Sequence, residues 1–440
     1  MDPFKSGVEI SFVDCCIMML HDLVMSMKSK AYRMYVRYVL PWHFVIRQQA
    51  LKRKVARGER IKVCFLAMNL GMWRYQRVYE LFAADPRFEA VIVLSPTIQF
   101  EKLEQVANIE ELRQFFAAHD IPYVDWDENH DKSMADLRRD IDPDIIFYPQ
   151  QYSDALYEEH RFTNFWEKLL CLTPYGIANE ETKWTYNLDF HNRAWKLFYT
   201  NNAELKAAQR LASNRGRNVV VTGYSNMTEY LSPDTVDVWN IKRPEVKKLI
   251  WAPHYSITED SGLLFLSNFL WMAQGMVEIA EQYRDRLQIA FKPHPKLKST
   301  LYQHPDWGQE RTDKYYRLWD EMPNTQLETG LFIDLFKTSD AMVHDCDSFQ
   351  VEYLYVNKPV MFVQQSREQQ NTTELCKQAI ACHYIGKNMD DVRQFVEMVL
   401  RGEDTMREQR QQFFNNYLLP KSGTDVALNI YNDIVTTLKL

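Results

Sequence analysis

The segment 287–363 constrains the fold of this chain most, because it alternates short apolar strands with polar turns. The apolar run 287–291 stops at Lys-Pro-His-Pro, residues 292–295, and the run 341–344 stops at Asp-Cys-Asp-Ser, residues 345–348. In an open parallel sheet, ligands bind outside the carboxyl ends of the strands. We therefore expect both polar turns to line one ligand site.

The residue types in these two turns suit an anionic ligand. Ser348 is placed to cap the helix that follows it, and free backbone N–H groups at the start of a helix attract anions. Glu352 lies one turn further along the same helix face, where we expect it to accept hydrogen bonds from ribose hydroxyls. On the other strand end, Lys292 and His294 are expected to bind a diphosphate, or His294 to protonate the leaving nucleotide. The alternative is that the turns merely end a strand and cap a helix.

The chain resembles the C-terminal half of the CDP-glycerol glycerophosphotransferase family in two segments, FKPHP and HDCDSFQVEYLYVNKPVMF. This family comprises the polymerases and primases of teichoic acids and related capsules. His294 matches the family's HP histidine, while Asp345 and Ser348 match the aspartate and second serine of its T-D-Y-S-S-like turn. The resemblance covers residues 61–400, is clearest over 250–363, and extends in looser form to GT-B glycosyltransferases and UDP-sugar 2-epimerases. It implies a GT-B fold, in which helix N-termini and basic side chains, rather than a bound metal, stabilise a leaving diphosphate.

The chain departs from this family at two turns. Where the family has T-W-H-G-T with a catalytic histidine, this chain has Thr-Pro-Tyr-Gly, with Tyr175 at the histidine position. A tyrosine with a pKa near 10 is a poor base at neutral pH. Glu180, Glu181 and His191 are therefore alternative bases, and the sequence does not choose among them. His254 replaces the threonine of the family's A-P-T-W-R turn, and we expect it to bind the donor.

Two acidic residues flank Cys346 in the second polar turn. We expect Asp345 to orient His294 or to bind backbone N–H groups, and Asp347 to take part in donor binding beside Ser348. Hard cations need more carboxylates than this turn provides. We therefore predict neither a metal ion nor another cofactor.

From Ile61 onward the chain alternates strands and helices, which is typical of doubly wound α/β domains. At 440 residues it is too long for a single core. We predict two Rossmann-like domains that face each other across a cleft, as in GT-B enzymes. The predicted parts are a basic helical arm (1–60), an acceptor domain (61–241), a nucleotide-donor domain (242–400) and C-terminal helices that cross back to the acceptor domain (401–440).

The arm is basic and aromatic over residues 31–57, and no acidic residue lies between Asp22 and Glu59. Tryptophan and tyrosine beside arginine and lysine are what a helix on an anionic membrane surface needs. Pro41 should kink or divide this helix. The alternative is an arm that packs against the body of the enzyme or a partner, with its basic face solvated.

These features predict a transferase that moves a polyol-phosphate, such as glycerol phosphate, or a sugar from a CDP- or UDP-type donor to a membrane-associated envelope glycan. The net charge of -7 argues against nucleic acid as a partner. Seven scattered cysteines without a CxxC motif indicate a reducing cytoplasm, so we expect a peripheral protein at the inner face of the cell membrane. The alternatives are a UDP-sugar 2-epimerase-like enzyme and a GT-B protein that binds without catalysing.

Overall fold

The computed structural model describes residues 29–257, 266–330, 332–364 and 372–440. Two parallel sheets with flanking helices form the two halves of the chain, and the basic helical arm precedes them. The predicted fold class is therefore confirmed. The predictions for residues 1–28, and for the beginning of the helix expected from residue 263, lie outside the described residues.

The first half is built on a parallel sheet of short, largely buried strands. These are β1 (Ile61–Ala67), β2 (Phe88–Leu94), β3 (Tyr123–Val124), β6 (Ile145–Tyr148), β7 (Leu169–Leu172), β8 (Lys196–Tyr199) and β9 (Val219–Val221), and a separate antiparallel pair consists of β4 (Trp126–Asp127) and β5 (Lys132–Ser133). The strand order is β3-β2-β1-β6-β7-β8-β9. The chain thus changes direction across the sheet at β1, as in doubly wound folds.

The second half repeats this plan with a six-stranded sheet. Its strands are β10 (Lys247–Ala252), β11 (Leu287–Phe291), β12 (Thr325–Leu327), β13 (Ala341–His344), β14 (Val360–Val363) and β15 (Tyr384–Gly386). They follow the order β12-β11-β10-β13-β14-β15, so that β10 lies between β11 and β13. The change of direction at β10 predicts a ligand crevice at the carboxyl ends of these three strands.

Helices cover both faces of the two sheets, because successive strand residues point to opposite faces. The longer α-helices are Leu40–Ala56, Gln76–Ala84, Lys102–Ala118, Asn202–Leu211, Phe269–Gln282, Leu297–Gln303, Gly308–Glu321, Glu374–Ile380, Met389–Leu400, Arg407–Phe413 and Val426–Leu438, and shorter ones are Lys183–Tyr186, Asp189–Arg193, Met227–Leu231, Ile333–Thr338 and Phe349–Glu352. None of the helices in the described residues combines the length and the apolar character needed to cross a membrane.

One hydrophobic core continues from the first half into the second. In β1, Val63 and Phe65 belong to it, whereas Cys64 and Leu66 belong to a separate core on the opposite face. Ile250 of β10 lies in the same core as Phe65. The two halves are therefore packed against each other and do not form independent globules.

The last helix of the chain packs on the first half. Val426–Leu438 contacts the helices Gln76–Ala84 and Leu40–Ala56. The Tyr431 hydroxyl donates to the Asp85 carboxylate at 2.5 Å. Lys196 of β8 pairs with Asp433 at 2.8 Å.

Two local predictions differ from the structure. The alternation of strands and helices in the sequence predicts a helix over residues 134–139, but the structure has a π-helical turn, Leu137–Ile141, after β5. Asp136 explains the late start, because its side chain accepts from the N–H groups of Arg138 and Arg139 and so caps the turn. The polar and aromatic segment 302–319, for which the sequence predicts an insertion, comprises the end of the helix Leu297–Gln303 and most of Gly308–Glu321. The strand β12 that follows is polar and was not predicted from the sequence pattern.

The arm is a continuous helical segment with a change of winding near its middle. Residues 29–34 are helical, Tyr35–Val39 form a π-helical turn, and the α-helix Leu40–Ala56 follows with Pro41 in its first turn. The distortion falls just before the proline, whose ring would clash with a regular preceding turn. Lys54 binds Asp144 at 2.6 Å and so ties the arm to the first half.

Candidate active site

Three neighbouring strand ends of the second sheet form the candidate site. The chain leaves β10 through Pro253, whose carbonyl accepts a hydrogen bond from the His294 N–H at 3.0 Å. On the other side, the Asp345 carboxylate accepts from the His254 N–H at 2.6 Å. The structure thus connects the two turns predicted from the sequence through the end of the strand between them.

Three aromatic rings pack together at this edge. The His294 ring centroid lies 4.9 Å from that of His254 and 4.5 Å from that of Tyr255. Burial lowers the pKa of His294 to about 4, and the charges of Lys296 and Lys292 add to the effect. Burial also lowers the pKa of His254 to about 3, with a further contribution from His294. Both imidazoles are therefore neutral at pH 7.

Hydrogen bonds define which nitrogen of each ring is the donor. Nδ1 of His294 accepts from the Lys296 N–H at 3.1 Å, and Nδ1 of His254 accepts from the Ser256 N–H at 3.3 Å. The proton of each neutral ring then resides on Nε2. The half-buried His294 can donate this N–H to a phosphate oxygen. A bound diphosphate would raise the pKa of His294, because a negative charge favours the protonated ring.

Asp345 holds the strand ends together. Its carboxylate accepts from the N–H groups of His254 at 2.6 Å and Asn268 at 2.5 Å, and the residue is only 2% exposed. Burial raises the pKa of Asp345 to about 7, although these backbone hydrogen bonds oppose the shift. Of the two predicted roles, the observed contacts fit the binding of backbone N–H groups. Asp345 therefore affects the position of His294 only indirectly. It binds the His254 N–H, and the neighbouring Pro253 carbonyl binds the His294 N–H.

Lys292 supplies a buried positive charge beneath the ring cluster. Its Nζ donates to the Gly330 carbonyl at 3.0 Å and lies 5.3 Å from the centre of the Phe332 ring. Burial lowers the pKa of Lys292 to about 8, while the charge of Glu328 opposes the change. The side chain is still mostly charged at pH 7, and it makes no ion pair within 4 Å among the described residues. Such a charge favours binding of an anion.

The turn after β13 differs from its prediction in one respect. Ser348 occupies the N-cap position of Phe349–Glu352, but its hydroxyl makes no capping bond, so the predicted hydroxyl cap is wrong. The reason is that Ser348 already has helical dihedrals, φ -62 and ψ -32, whereas capping residues are usually extended. The Ser348 side chain is exposed, and the half-buried Asp347 accepts from the Gln350 side chain at 3.3 Å.

Glu352 connects the two halves of the molecule. Its Oε1 accepts from the hydroxyls of Tyr224 at 2.6 Å and Tyr230 at 3.1 Å, and from the Asn226 amide at 3.3 Å. All three donors follow β9 in the first half. Burial raises the pKa of Glu352, and these hydrogen bonds and the charge of Arg74 oppose the rise. No hydrogen bond joins Oε2 to a described residue, so the predicted contact with ribose would have to use this second oxygen.

Tyr175 and Glu180 lie on the loop after β7, on the opposite side of the cleft. Tyr175 is 43% exposed, yet burial of part of its side chain raises its pKa, so even less of the phenolate that could act as a base is present at pH 7. Glu180 forms an isolated bridge with Thr372, two residues before the helix Glu374–Ile380. Among the described residues, no hydrogen bond or ring contact joins either side chain to His294. The loop reaches the second half, but not directly at the histidine.

Arg74 belongs to the site although the sequence analysis passed over it. It follows the first βα turn, its charge affects Glu352 and Tyr224, and its buried Nε has no hydrogen-bond partner among the described residues. Lys292 also lies within electrostatic range of Glu352. In the sequence, Arg74 could have been recognised as a site residue only from its position after the first strand, because ligands bind at the carboxyl ends of such strands. The turn contains Gly71 but not the glycine-rich fingerprint that marks a nucleotide site in a sequence.

No protein-family model and no curated protein sequence matches the chain. Several solved structures do. The wall teichoic acid polymerase TagF superposes with a TM-score of 0.56 at 10% identity, covering 86% of this chain and 89% of that one. The fold is that of GT-B enzymes.

Two further solved structures with this fold contain UDP or a UDP-sugar. S. aureus MnaA, solved with UDP, has a TM-score of 0.52 at 15% identity and covers 86% of this chain and 97% of its own. UDP-GlcNAc 2-epimerase from Neisseria meningitidis, bound to UDP-GlcNAc, has a TM-score of 0.52 at 12% identity. The match covers 86% of this chain and 100% of the epimerase chain. Identities this low establish the architecture and leave the reaction to be argued from the site.

Proposed function

We propose that this protein is a GT-B transferase that uses a nucleotide diphosphate donor. The observation that carries the proposal is that His254, Lys292 and His294 all follow the ends of the neighbouring strands β10 and β11, with the two histidine rings 4.9 Å apart. A buried ammonium and two imidazole N–H donors in a poorly hydrated crevice suit the two phosphates of a donor. MnaA and the N. meningitidis epimerase, which share the fold, bind UDP and UDP-GlcNAc.

The remaining predicted residues have complementary roles in this proposal. Ser348 and the backbone N–H groups after Asp347 contact the diphosphate, and Asp345 positions His254. Glu352 accepts from the ribose through Oε2 while Oε1 stays bound to the first half. His294 donates its N–H to the leaving phosphate and gains charge as the diphosphate approaches.

The transferred group is a polyol-phosphate, such as glycerol phosphate, or a sugar, and the donor carries CDP or UDP. An acceptor hydroxyl attacks either the distal phosphorus, which releases the nucleoside monophosphate, or the anomeric carbon, which releases the nucleoside diphosphate. Its proton passes to a base on the first half, for which Glu180 and Tyr175 are the candidates, because Glu181 binds Arg210 and His191 is buried. Since the pKa of Tyr175 is raised, Glu180 is the better base of the two.

The acceptor in this proposal is a membrane-associated envelope glycan, and the arm holds the enzyme on the inner face of the cell membrane. The exposed basic and aromatic side chains of the arm support this part of the proposal. TagF, which acts as a wall teichoic acid polymerase, has the same fold.

Calorimetric titration with CDP-glycerol and with UDP-GlcNAc tests the donor. We expect one of them to bind the wild type, and Lys292→Met to weaken that binding about 10- to 100-fold through loss of a charged partner. Lys298→Met is the matched control, because Lys298 is a nearby lysine that pairs with Asp313 at 2.9 Å. If neither compound binds, the proposal that the protein uses a CDP- or UDP-type donor is wrong.

The second candidate is a UDP-sugar 2-epimerase, because two structures with that activity share the fold. Both buried carboxylates of the site, Asp345 and Glu352, already accept hydrogen bonds from the protein, which leaves few groups for proton abstraction from a sugar. Incubation with UDP-GlcNAc and chromatography of the products separates the two activities. Epimerised nucleotide sugar without any acceptor would replace the transferase proposal.

A further inference from the structure

The arm carries a row of exposed apolar side chains on one face. Their positions lie three and four residues apart, which places them on one side of a helix. A tryptophan from the first half extends the row, since the Trp166 ring lies 5.8 Å from the ring of His43. This docking face consists of Met34, Tyr38, Val39, Trp42, Val45, Ile46 and Trp166, which are between 44% and 71% exposed.

Four arginines gather at the beginning of this face. Arg33 and Arg37 belong to the arm, and Arg215 and Arg217 to the loop before β9. Arg37 Nε donates to the Ser213 carbonyl at 2.6 Å, and Arg217 donates to the Arg37 carbonyl at 2.5 Å. Partial burial lowers the pKa of Arg37, and the charges of the other three arginines contribute. In the described part of the chain, no carboxylate pairs with any member of this arginine cluster.

The arginine cluster and the docking face are continuous. The Arg217 guanidinium lies 5.3 Å from the centre of the Tyr38 ring, which is itself part of the docking face. Arg217 also borders a cavity of about 330 Å³ between the arm and the base of the first half, with Leu40, Phe44 and Val220 among its lining residues. Unpaired positive charge, exposed aromatic rings and an adjoining apolar recess therefore occur together.

We propose that the arginine cluster binds the phosphate of an anionic phospholipid while the docking face enters the surface of the same bilayer. The charge of the whole chain, -7, would repel it from an anionic membrane, so attraction has to come from a local positive site. A soluble phosphate compound could pair with the arginine cluster, but it would leave the docking face exposed to water. A bilayer also removes the apolar side chains from water, which a free anion does not do.

This inference deepens the membrane part of the proposed function and is independent of the donor site. It adds Arg215, Arg217 and Trp166, which lie far from the arm in the sequence, to the surface that contacts lipid. The Asn214 side chain accepts from the Gly216 N–H at 2.8 Å and holds the turn that presents both arginines.

Sedimentation with vesicles tests the proposal on the full chain. We expect binding to phosphatidylcholine vesicles that contain phosphatidylglycerol and little binding to phosphatidylcholine alone. The double variant R215Q/R217Q should bind the anionic vesicles about 10- to 30-fold more weakly. The control R284Q/R286Q removes two exposed arginines with the same spacing in the second half and should bind like the wild type.

Three results would overturn the inference. They are unchanged vesicle binding by R215Q/R217Q, an equal loss in R284Q/R286Q, and complete competition by inorganic phosphate, which would indicate a site for a free anion. Trp42→Ser should weaken binding at high salt as well, because burial of its ring is not screened. Donor titration of R215Q/R217Q should match the wild type, so failure here is distinguishable from failure of the donor proposal.

Discussion

Two histidine pairs of the second half have nearly the same ring geometry and different surroundings. The rings of His254 and His294 are 4.9 Å apart at an interplanar angle of 63°, and those of His344 and His383 are 5.4 Å apart at 63°. We name them the edge pair and the core pair. The edge pair follows the ends of β10 and β11, whereas the core pair is buried between β13 and the segment before β15.

The core pair contacts backbone carbonyls inside the protein through Nδ1 of each ring. Nδ1 of His344 lies 3.1 Å from the Cys346 carbonyl, and Nδ1 of His383 lies 2.8 Å from the Ala379 carbonyl. Both Nε2 atoms are buried without a hydrogen-bond partner in the described residues. Within the edge pair, His294 is half-buried and its Nε2 carries the proton. Ring packing alone therefore does not mark a functional histidine, whereas a donor at the surface of a crevice does.

Replacement of His294 is expected to have the largest effect. His294→Ala removes the N–H that stabilises the leaving phosphate, so turnover with the donor selected by titration should fall about 10²- to 10⁴-fold. Steady-state kinetics measures the loss, and thermal unfolding checks that the variant folds. Activity equal to the wild type would remove His294 from the mechanism.

The core pair should respond in the opposite way. His383→Ala leaves a cavity in a buried site, and we expect the free energy of unfolding to fall by about 2–3 kcal/mol. Turnover per folded molecule should stay near that of the wild type. Chemical denaturation followed by fluorescence measures the free energy of unfolding. If turnover falls as much as in His294→Ala, the core pair also has a role in the reaction and the proposed difference between the pairs is wrong.

The core pair also predicts a dependence of stability on pH. Burial lowers the pKa of His383 to about 4 and that of His344 well below its ordinary value, so the unfolded chain binds more protons between about pH 4 and 6.5. Stability should therefore fall as the pH falls through this window. Between pH 7 and 5.5 the contribution of His383 is about 1 kcal/mol. Chemical denaturation at both pH values gives the loss of unfolding free energy on acidification, and this loss should be smaller in His383→Ala than in the wild type by this amount.

The smallest effect is expected at the anchor of the edge pair. The Ser256 hydroxyl lies 2.8 Å from His254 Nδ1 and accepts from the Leu266 N–H at 3.0 Å. Ser256→Ala should lower the free energy of unfolding by about 1 kcal/mol and weaken donor binding only a few-fold. Calorimetry with the donor measures the second effect. A loss as large as that in Lys292→Met would mean that His254 matters more than we propose.

The sequence was sufficient for what depends on local pattern. Buried runs such as 287–291 and 341–344 predicted strands, and the turns after them correctly marked adjacent strand ends. What it did not reveal depends on contacts between distant segments. The partners of Glu352 are more than a hundred residues away, and Arg74 joins the site only because the two halves meet. The proximity of Trp166 to the arm likewise depends on tertiary packing.

The position of the helix Val426–Leu438 has a consequence for synthesis of the protein on the ribosome. This helix packs on Gln76–Ala84 and on the arm, yet it is translated after every strand of both sheets. At about 5–20 residues per second, the first half waits on the order of 10–40 s after its last strand for this cover. During that interval Phe82 and Phe88 lack their ring contacts with Tyr431, which is translated after the strands of both sheets. A nascent chain stalled before residue 426 is thus expected to need a chaperone.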